Sequence, residues 1–252
     1  MDKVTYVANA GVLLEAGSSK IMIDGLCNTD IPIYKNTPEA LRNQIVRGIP
    51  PFDKIDLLLF THHHADHFDP ESTCEYLKYN SDTVVISTAK AISDLKEAGF
   101  SSDDERLVGI DSLPGEITEI NINGISVKAI ATRHDGRDYD DVLNLAFLVE
   151  TGGRRFLHVG DAKPLKENFK DAGLAGQNID LLIAPFPYVG LSTARSTIES
   201  FIRPQKIMAI HMPYRELDSE GWISSTLKSY KNVEKDFFKT EFVDVIGSSI
   251  LL

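Results

Sequence analysis

The sequence predicts an α/β fold in which mixed β-sheets are flanked by helices. Short apolar runs recur along the chain, separated by turn residues or by segments with helical spacing. The first runs pair as hairpins, later runs alternate singly with helices, and the alternation continues into the second half of the chain. Such a succession is typical of mixed sheets covered by helices. Because 252 residues suit one large domain, we predict a single domain over residues 1–252.

Strands are predicted where aliphatic and β-branched residues form short runs. An opening hairpin turns around Gly17, and a second turns at Asn123 and Gly124, a dipeptide that favours two-residue hairpin loops. In chain order, the predicted strands are 4–15, 20–23, 55–60, 84–86, 116–120, 125–131, 145–150, 155–159, 180–184, 206–210 and a last one near 241–246.

Helices are predicted after two pairs of residues that favour helix starts. Thr37 and Asp69 are suited to be N-caps, and Pro38 and Pro70 suit the first helical position. The predicted helices are 38–47, one that begins after residue 69, 89–98, 165–171, 193–202 and 220–230. The less regular segment 26–52 is predicted to act as a lid or as a wall of a substrate pocket.

The composition argues against several classes of protein. The formal net charge is −11, which argues against a nucleic-acid partner because phosphate backbones are bound by clustered Lys and Arg. Cys27 and Cys74 cannot build a disulfide framework, and they suit a reducing compartment. Neither a signal peptide nor an apolar run of about 20 residues is visible. We therefore expect a cytoplasmic protein without a membrane partner.

Four of the seven histidines fall within six positions of one another, directly after the strand predicted at 55–60. His62, His64, Asp66 and His67 follow the pattern His-x-His-x-Asp-His. At an extended strand end, residues i and i+2 project to one side, so His62 and His64 can hold one metal ion together. The backbone then turns toward a helix, which redirects Asp66 and His67. Imidazole and carboxylate groups are ligands that Zn, Mn and Fe accept.

Three further candidates share a position just past the end of a predicted strand. They are His134, Asp161 and His211, which follow the strands at 125–131, 155–159 and 206–210. Polar side chains at the ends of several strands are where a rigid scaffold passes into loops, and such sites often carry function. We therefore expect the three residues to belong to an active site.

With these residues the chain resembles the metallo-β-lactamase-fold superfamily. The resemblance rests on residues 61–67, His134, Gly160 with Asp161, and His211, and on an opening hairpin similar to that of the superfamily. It implies a four-layer αββα sandwich, with two facing mixed β-sheets flanked by helices. It also implies a dinuclear site that binds two divalent metal ions, expected to be Zn, with Mn or Fe as alternatives.

The resemblance also implies a role for each ligand. By the superfamily pattern, the first ion is bound by His62, His64 and His134, the second by Asp66, His67 and His211, and Asp161 bridges both. A hydroxide held between the ions would attack a carbonyl carbon or a phosphorus. Asp66 is the expected catalytic residue, which orients the hydroxide and then helps to protonate the leaving group.

Other chemistry-bearing residues have plainer interpretations. His63 and His158 lie outside the pattern and are predicted to be structural or to support a ligand. Asp24 is predicted to close a turn, and Cys27 and Cys74 are predicted to be inert thiols. Packing or ordinary salt bridges are the first expectation for the residues near the predicted site, with substrate contact as the alternative: Tyr188, Tyr214, Trp222, Arg133 and Arg137.

Several branches of the superfamily fit this sequence poorly. Asp161 stands where the namesake β-lactamases commonly carry a cysteine, and only 41 residues follow His211, too few for the helical domain of glyoxalase-II-like enzymes. The layout is most similar to small-molecule hydrolases related to L-ascorbate-6-phosphate lactonase. We expect a hydrolase of a small ester, lactone or phosphoester.

Two alternatives remain open, as does the oligomeric state. The chain could be a phosphodiesterase that acts on nucleotides or short nucleic acid, or a non-catalytic metal-binding or sensing module. A homo-oligomer stays among the expected assemblies.

Overall fold

The computed structural model describes residues 2–101 and 104–252, so residues 1, 102 and 103 of the predicted domain lie outside the description. The chain divides into two compact units. Unit 1 comprises Met1–Asp111 and Val245–Leu251, and unit 2 comprises Ser112–Asp244 with Leu252. The interpretation as one domain stays a prediction, and each unit is described by itself.

The described residues form fourteen strands, seven in each unit. In chain order they are β1 (Lys3–Ala8), β2 (Gly11–Ala16), β3 (Ser19–Ile23), β4 (Leu57–Leu59), β5 (Val84–Thr88), β6 (Leu107–Ile110), β7 (Ile117–Ile122), β8 (Ile125–Arg133), β9 (Leu143–Thr151), β10 (Arg154–His158), β11 (Leu181–Pro185), β12 (Lys206–Ile210), β13 (Lys239–Phe242) and β14 (Ser249–Leu251).

Seven α-helices connect or follow these strands in the described part of the chain. They are α1 (Glu39–Val46), α2 (Pro70–Tyr79), α3 (Ala89–Glu97), α4 (Lys166–Phe169), α5 (Pro187–Gly190), α6 (Ser192–Thr197), which continues as a π-helical turn over Ile198–Ile202, and α7 (Trp222–Lys231). Among the described residues, every helix is too short or too polar to cross a lipid bilayer.

Unit 1 contains a mixed sheet with the strand order β14-β1-β2-β3-β4-β5-β6. Its first four strands pair antiparallel, and the pairs from β3 to β6 are parallel. Short turns suffice between β1, β2 and β3, whereas each parallel pair needs a crossover, and α1, α2 and α3 lie in these crossovers. Leu13, Met22 and Leu58 belong to one buried cluster with residues of the three helices, including Ile45, Tyr76 and Leu95.

Unit 2 contains a second mixed sheet, with the order β13-β12-β11-β10-β9-β8-β7. The strands β7 to β10 pair antiparallel, and those from β10 to β13 pair parallel. Its core packs strand residues such as Leu157 and Leu182 with helix residues such as Phe169 and Ile198. Two mixed sheets with flanking helices confirm the predicted α/β class.

Two local predictions for the N-terminal region are wrong. Residues 4–15 are two strands rather than one, because the chain reverses at Asn9 and Ala10 between β1 and β2. Thr37 does not cap α1, since its hydroxyl donates a hydrogen bond to the Gly25 carbonyl (3.0 Å) and the helix begins at Glu39 after Pro38. Strands β6 and β14 and helix α5 lie outside the predicted elements.

Candidate metal centre

The first cluster of candidate ligands lies in the loop between β4 and α2 of unit 1. After the extended residues of β4, the chain turns through backbone hydrogen bonds from His67 N and Phe68 N to the His64 carbonyl (2.9 and 2.8 Å). Asp69 ends the loop, because its side chain accepts a hydrogen bond from Ser72 N at the start of α2, as the sequence predicts. Hydrogen bonds therefore fix the loop at its central turn and at the start of α2.

This loop brings His62, His64, Asp66 and His67 together. The rings of His62 and His64 have centroids 4.7 Å apart, and one ring nitrogen of each lies within 4.8 Å of the other. His67 Nε2 lies 3.6 Å from Asp66 Oδ2. His62 and His67 are fully buried, whereas Asp66 is 7% exposed. The loop thus presents three imidazole groups and one carboxylate, which are donors that Zn²⁺ accepts.

Asp24 orients this cluster, although the sequence indicates only a turn residue there. Its Oδ1 accepts a hydrogen bond from Thr61 N (2.8 Å), and its Oδ2 accepts one from the Thr61 hydroxyl (2.7 Å). His67 Nδ1 lies 2.8 Å from the same Oδ2. Because a carboxylate accepts, His67 carries its proton on Nδ1 and keeps the lone pair of Nε2 for a metal ion.

Unit 2 holds the second cluster, which is centred on Asp161. Asp161 Oδ2 lies 3.7 Å from His134 Nε2 and 3.6 Å from His211 Nε2. His134 follows β8, Asp161 follows β10 and His211 follows β12, as the sequence predicts. The strands end in left-handed backbone at Gly160 (φ 55°) and His211 (φ 58°). The change of direction places the three side chains together.

Asn144 on β9 holds the ends of β8 and β10. Its Oδ1 accepts a hydrogen bond from Asp161 N (2.9 Å), and its Nδ2 donates to the Val159 carbonyl (3.0 Å) and to the Thr132 hydroxyl (2.8 Å). Asn144 is fully buried, so these bonds are shielded from water. No spacing in the sequence singles it out, because its partners lie on two other strands.

His134 is oriented in the same way as His67, and this orientation suits the binding of a divalent ion. His134 Nδ1 is hydrogen-bonded to the Asp135 carbonyl, which leaves Nε2 toward Asp161. With His67, this makes two histidines whose Nδ1 is engaged and whose Nε2 faces a carboxylate. Orientation of a ligand histidine through its other nitrogen is characteristic of metal sites.

Residues 21–216 match the β-lactamase superfamily domain, and this range includes all seven candidate ligands. The chain belongs to the metallo-β-lactamase superfamily. The resemblance drawn from the sequence is confirmed at this level.

Relatives of the chain include proteins named metal-dependent hydrolases. The chain is 24% identical over 216 residues to a UPF0173 metal-dependent hydrolase of Pyrococcus abyssi, and 27% identical over 218 residues to one of Thermus thermophilus, covering 84% of both chains in each case. The structure is similar to that of the metallo-β-lactamase fold protein YhfI from Bacillus subtilis, with a TM-score of 0.63 and 15% identity over 99% of this chain and 98% of the other. The chain is a metal-dependent hydrolase with the metallo-β-lactamase fold.

Several other residues have supporting or structural roles. Tyr188 is buried, and its hydroxyl donates to the Ala162 carbonyl (2.5 Å), so it packs within unit 2. Burial raises the pKa of Tyr188 well above its ordinary value. His158 Nδ1 accepts a hydrogen bond from Gly160 N (3.1 Å), which supports the turn before Asp161. These contacts agree with the expected packing and supporting roles.

Both cysteines are free and buried. Burial raises the pKa of Cys27 to about 11 and raises that of Cys74 as well. Both thiols are therefore protonated at neutral pH, which agrees with their interpretation as inert groups.

Proposed function

We propose that this hydrolase cleaves a small-molecule ester, lactone or phosphoester at a centre of two divalent ions. The observation that carries the proposal is the pair of clusters, each of which places a carboxylate beside histidine nitrogens. Seven donors of this kind exceed what one tetrahedral ion requires. The superfamily match supports their use in one centre.

The proposed ligands follow the superfamily pattern. The first ion is assigned to His62, His64 and His134, the second to Asp66, His67 and His211, and the bridge to Asp161. The contacts within unit 2 support a bridging role for Asp161, because the same oxygen lies almost equally far from the two histidines (3.7 and 3.6 Å). Zn is the proposed metal, with Mn and Fe as alternatives.

Two divalent ions bound there would lower the pKa of water and supply hydroxide as the nucleophile at neutral pH. The residues of the chain orient the ligands and transfer the proton. Asp24 keeps Nε2 of His67 available by accepting the proton of Nδ1. Asp66 keeps 7% of its surface exposed, whereas its neighbour His67 is fully buried, and we assign Asp66 the proton transfer to the leaving group.

The substrate proposal rests on charge. With a net charge of −11, an extended polyanion gains no general attraction to the chain, whereas a small substrate needs only the local site. Similarity to the lactonase-related branch and a cytoplasmic location belong to the same proposal. The two free, buried thiols support the location, since such thiols suit a reducing compartment.

The test uses metal-replete protein and a panel of four substrate classes: an aryl ester, a lactone, a thioester and bis(p-nitrophenyl) phosphate. We expect turnover of the ester, lactone or phosphoester class, and its loss in Asp66→Asn while elemental analysis shows the metal retained. Asp171→Asn is the matched control, because Asp171 is an exposed carboxylate beside Lys170 and is not a candidate ligand.

Three outcomes would contradict the proposal in different ways. Full activity of Asp66→Asn would reject the role of Asp66. No turnover in any class despite full metal occupancy would favour a sensing module. Cleavage of the phosphodiester far faster than of the lactone would favour a nucleotide or nucleic-acid phosphodiesterase.

A further inference from the structure

We propose that Asn9 is a positioning residue that aims the Asp66 carboxylate. The inference rests on the proposed function, which gives Asp66 its role as ligand and proton carrier. Asn9 belongs to the turn between β1 and β2, more than fifty residues before the ligand motif.

Asn9 binds Asp66 through both hydrogens of one amide group. Its Nδ2 donates to the Asp66 backbone carbonyl (2.7 Å) and to Asp66 Oδ2 (3.2 Å). A backbone carbonyl can only accept, so the nitrogen of the amide must face it. The same nitrogen then holds the carboxylate, and the Asp66 side chain is fixed relative to its own backbone. Asn9 is fully buried, which strengthens these bonds by excluding water.

The turn that carries Asn9 lies close to Asp24, the residue that orients His67. Asn9 has a left-handed backbone (φ 44°), a conformation that asparagine adopts more readily than most residues. At Gly11, a Cβ atom would lie 2.6 Å from the Asp24 carbonyl oxygen and 2.8 Å from the Ala8 carbonyl oxygen. Only glycine permits this approach of the turn to Asp24.

Asn9 and Asp24 therefore hold the two halves of one ligand pair. Asp24 accepts from His67 Nδ1, Asn9 donates to Asp66 Oδ2, and that oxygen lies 3.6 Å from His67 Nε2. A carboxylate in this position is aimed before any ion or substrate arrives. Without the amide, the Asp66 side chain would regain rotational freedom that binding has to remove again.

The variant Asn9→Gly tests the proposal, because glycine accepts the left-handed backbone and removes only the amide. We expect Zn²⁺ affinity, measured by competition titration, to fall about 10–100-fold, as for other partners that orient ligands. At saturating Zn²⁺, we expect kcat to fall with KM nearly unchanged, the split produced when a group acts mainly in the transition state. Asn123→Gly is the matched control, since Asn123 is an exposed turn residue with φ 52°.

A double-mutant cycle with Asp66→Ala separates the possible failures, because alanine leaves no side-chain oxygen for Asn9 Nδ2. If Asn9 acts through the carboxylate, adding Asn9→Gly to Asp66→Ala leaves the Zn²⁺ affinity unchanged. If the full weakening persists in that background, Asn9 acts elsewhere and the proposal is wrong. It is also wrong if Asn9→Gly has the Zn²⁺ affinity and kcat of Asn123→Gly while Asp66→Asn is inactive. Normal turnover by Asp66→Asn would instead refute the role that the proposed function gives to Asp66. Thermal unfolding of each variant verifies that it folds.

Discussion

The two units contain sheets of the same plan but place their candidate ligands differently. In each sheet, three antiparallel pairs are followed by three parallel pairs: β14 to β3 and then β3 to β6 in unit 1, β7 to β10 and then β10 to β13 in unit 2. Unit 1 concentrates its four candidates in the single loop after β4. Unit 2 takes its three from the ends of β8, β10 and β12.

The two clusters are positioned by different kinds of contact. In unit 1, neighbouring positions in the sequence supply the donors, and distant residues, Asn9 and Asp24, orient them. In unit 2, the donors themselves are distant, and the sheet with Asn144 brings them together. One carboxylate, Asp161, then serves two histidines, whereas Asp66 pairs with one.

The largest expected effect comes from Asp161→Asn, which tests whether unit 2 depends on one shared carboxylate. If Asp161 bridges both ions, the variant loses both of them. Activity then falls by more than about 100-fold, the upper end of the loss that follows removal of a residue that only orients a ligand. By comparison, His67→Ala should retain about one of the two ions, because it removes a ligand of only one of them. Elemental analysis of both variants checks this. Equal metal content in the two variants would mean that Asp161 is not shared by both ions.

A smaller effect is expected for Asp24→Asn, which tests the orienting residue of unit 1. The amide cannot replace both acceptor oxygens, so His67 loses its fixed tautomer, and we expect metal affinity to fall about 10–100-fold. Asp56→Asn is the matched control, because Asp56 Oδ2 accepts a hydrogen bond from Lys20 N at the other end of β3 and β4. Metal titration that gives the same affinity for both variants would mean that Asp24 only closes a turn.

The smallest effect concerns a tyrosine remote from the ligand loop of unit 1. Burial raises the pKa of Tyr76 to about 12 from an ordinary value of 10.0. Because the folded pKa is the higher one, the stabilisation is complete below pH 10 and is lost as the pH rises through 12, by about 3 kcal/mol at most. Urea unfolding between pH 9 and about 11.5 measures this loss.

Tyr76→Phe should flatten this pH dependence, whereas Tyr79→Phe in the same helix should not, because Tyr79 is 53% exposed. An identical slope for the two variants would show that another group titrates. Activity at neutral pH should stay unchanged in both, which separates the core of unit 1 from its ligand loop.

Local signals made part of this structure predictable from the sequence. The motif from His62 to His67 is visible because its spacing is local, and Asp69 is visible as a helix cap for the same reason. The three candidates of unit 2 are predictable because each follows an apolar run, a weaker but still local signal. The class of mixed sheets with helices followed from the order of the apolar runs.

The remaining features depend on contacts between distant segments. Asn9 and Asp24 look like ordinary turn residues, since both sit at reversals with positive φ, and only the folded chain brings them to Asp66 and His67. At Thr37 the local signal is strong but misleading. Its hydroxyl could cap a helix, yet it donates to the Gly25 carbonyl instead. Local propensity is overridden where a tertiary partner is available.

Counting the metal ions in metal-replete protein tests the central claim most directly. Elemental analysis of the full chain after Zn²⁺ loading and removal of excess ion should give two ions per chain, one for each group of ligands. Asp171→Asn, the exposed control, should give the same count. A value of one or less for the unsubstituted chain would contradict a centre built from both clusters.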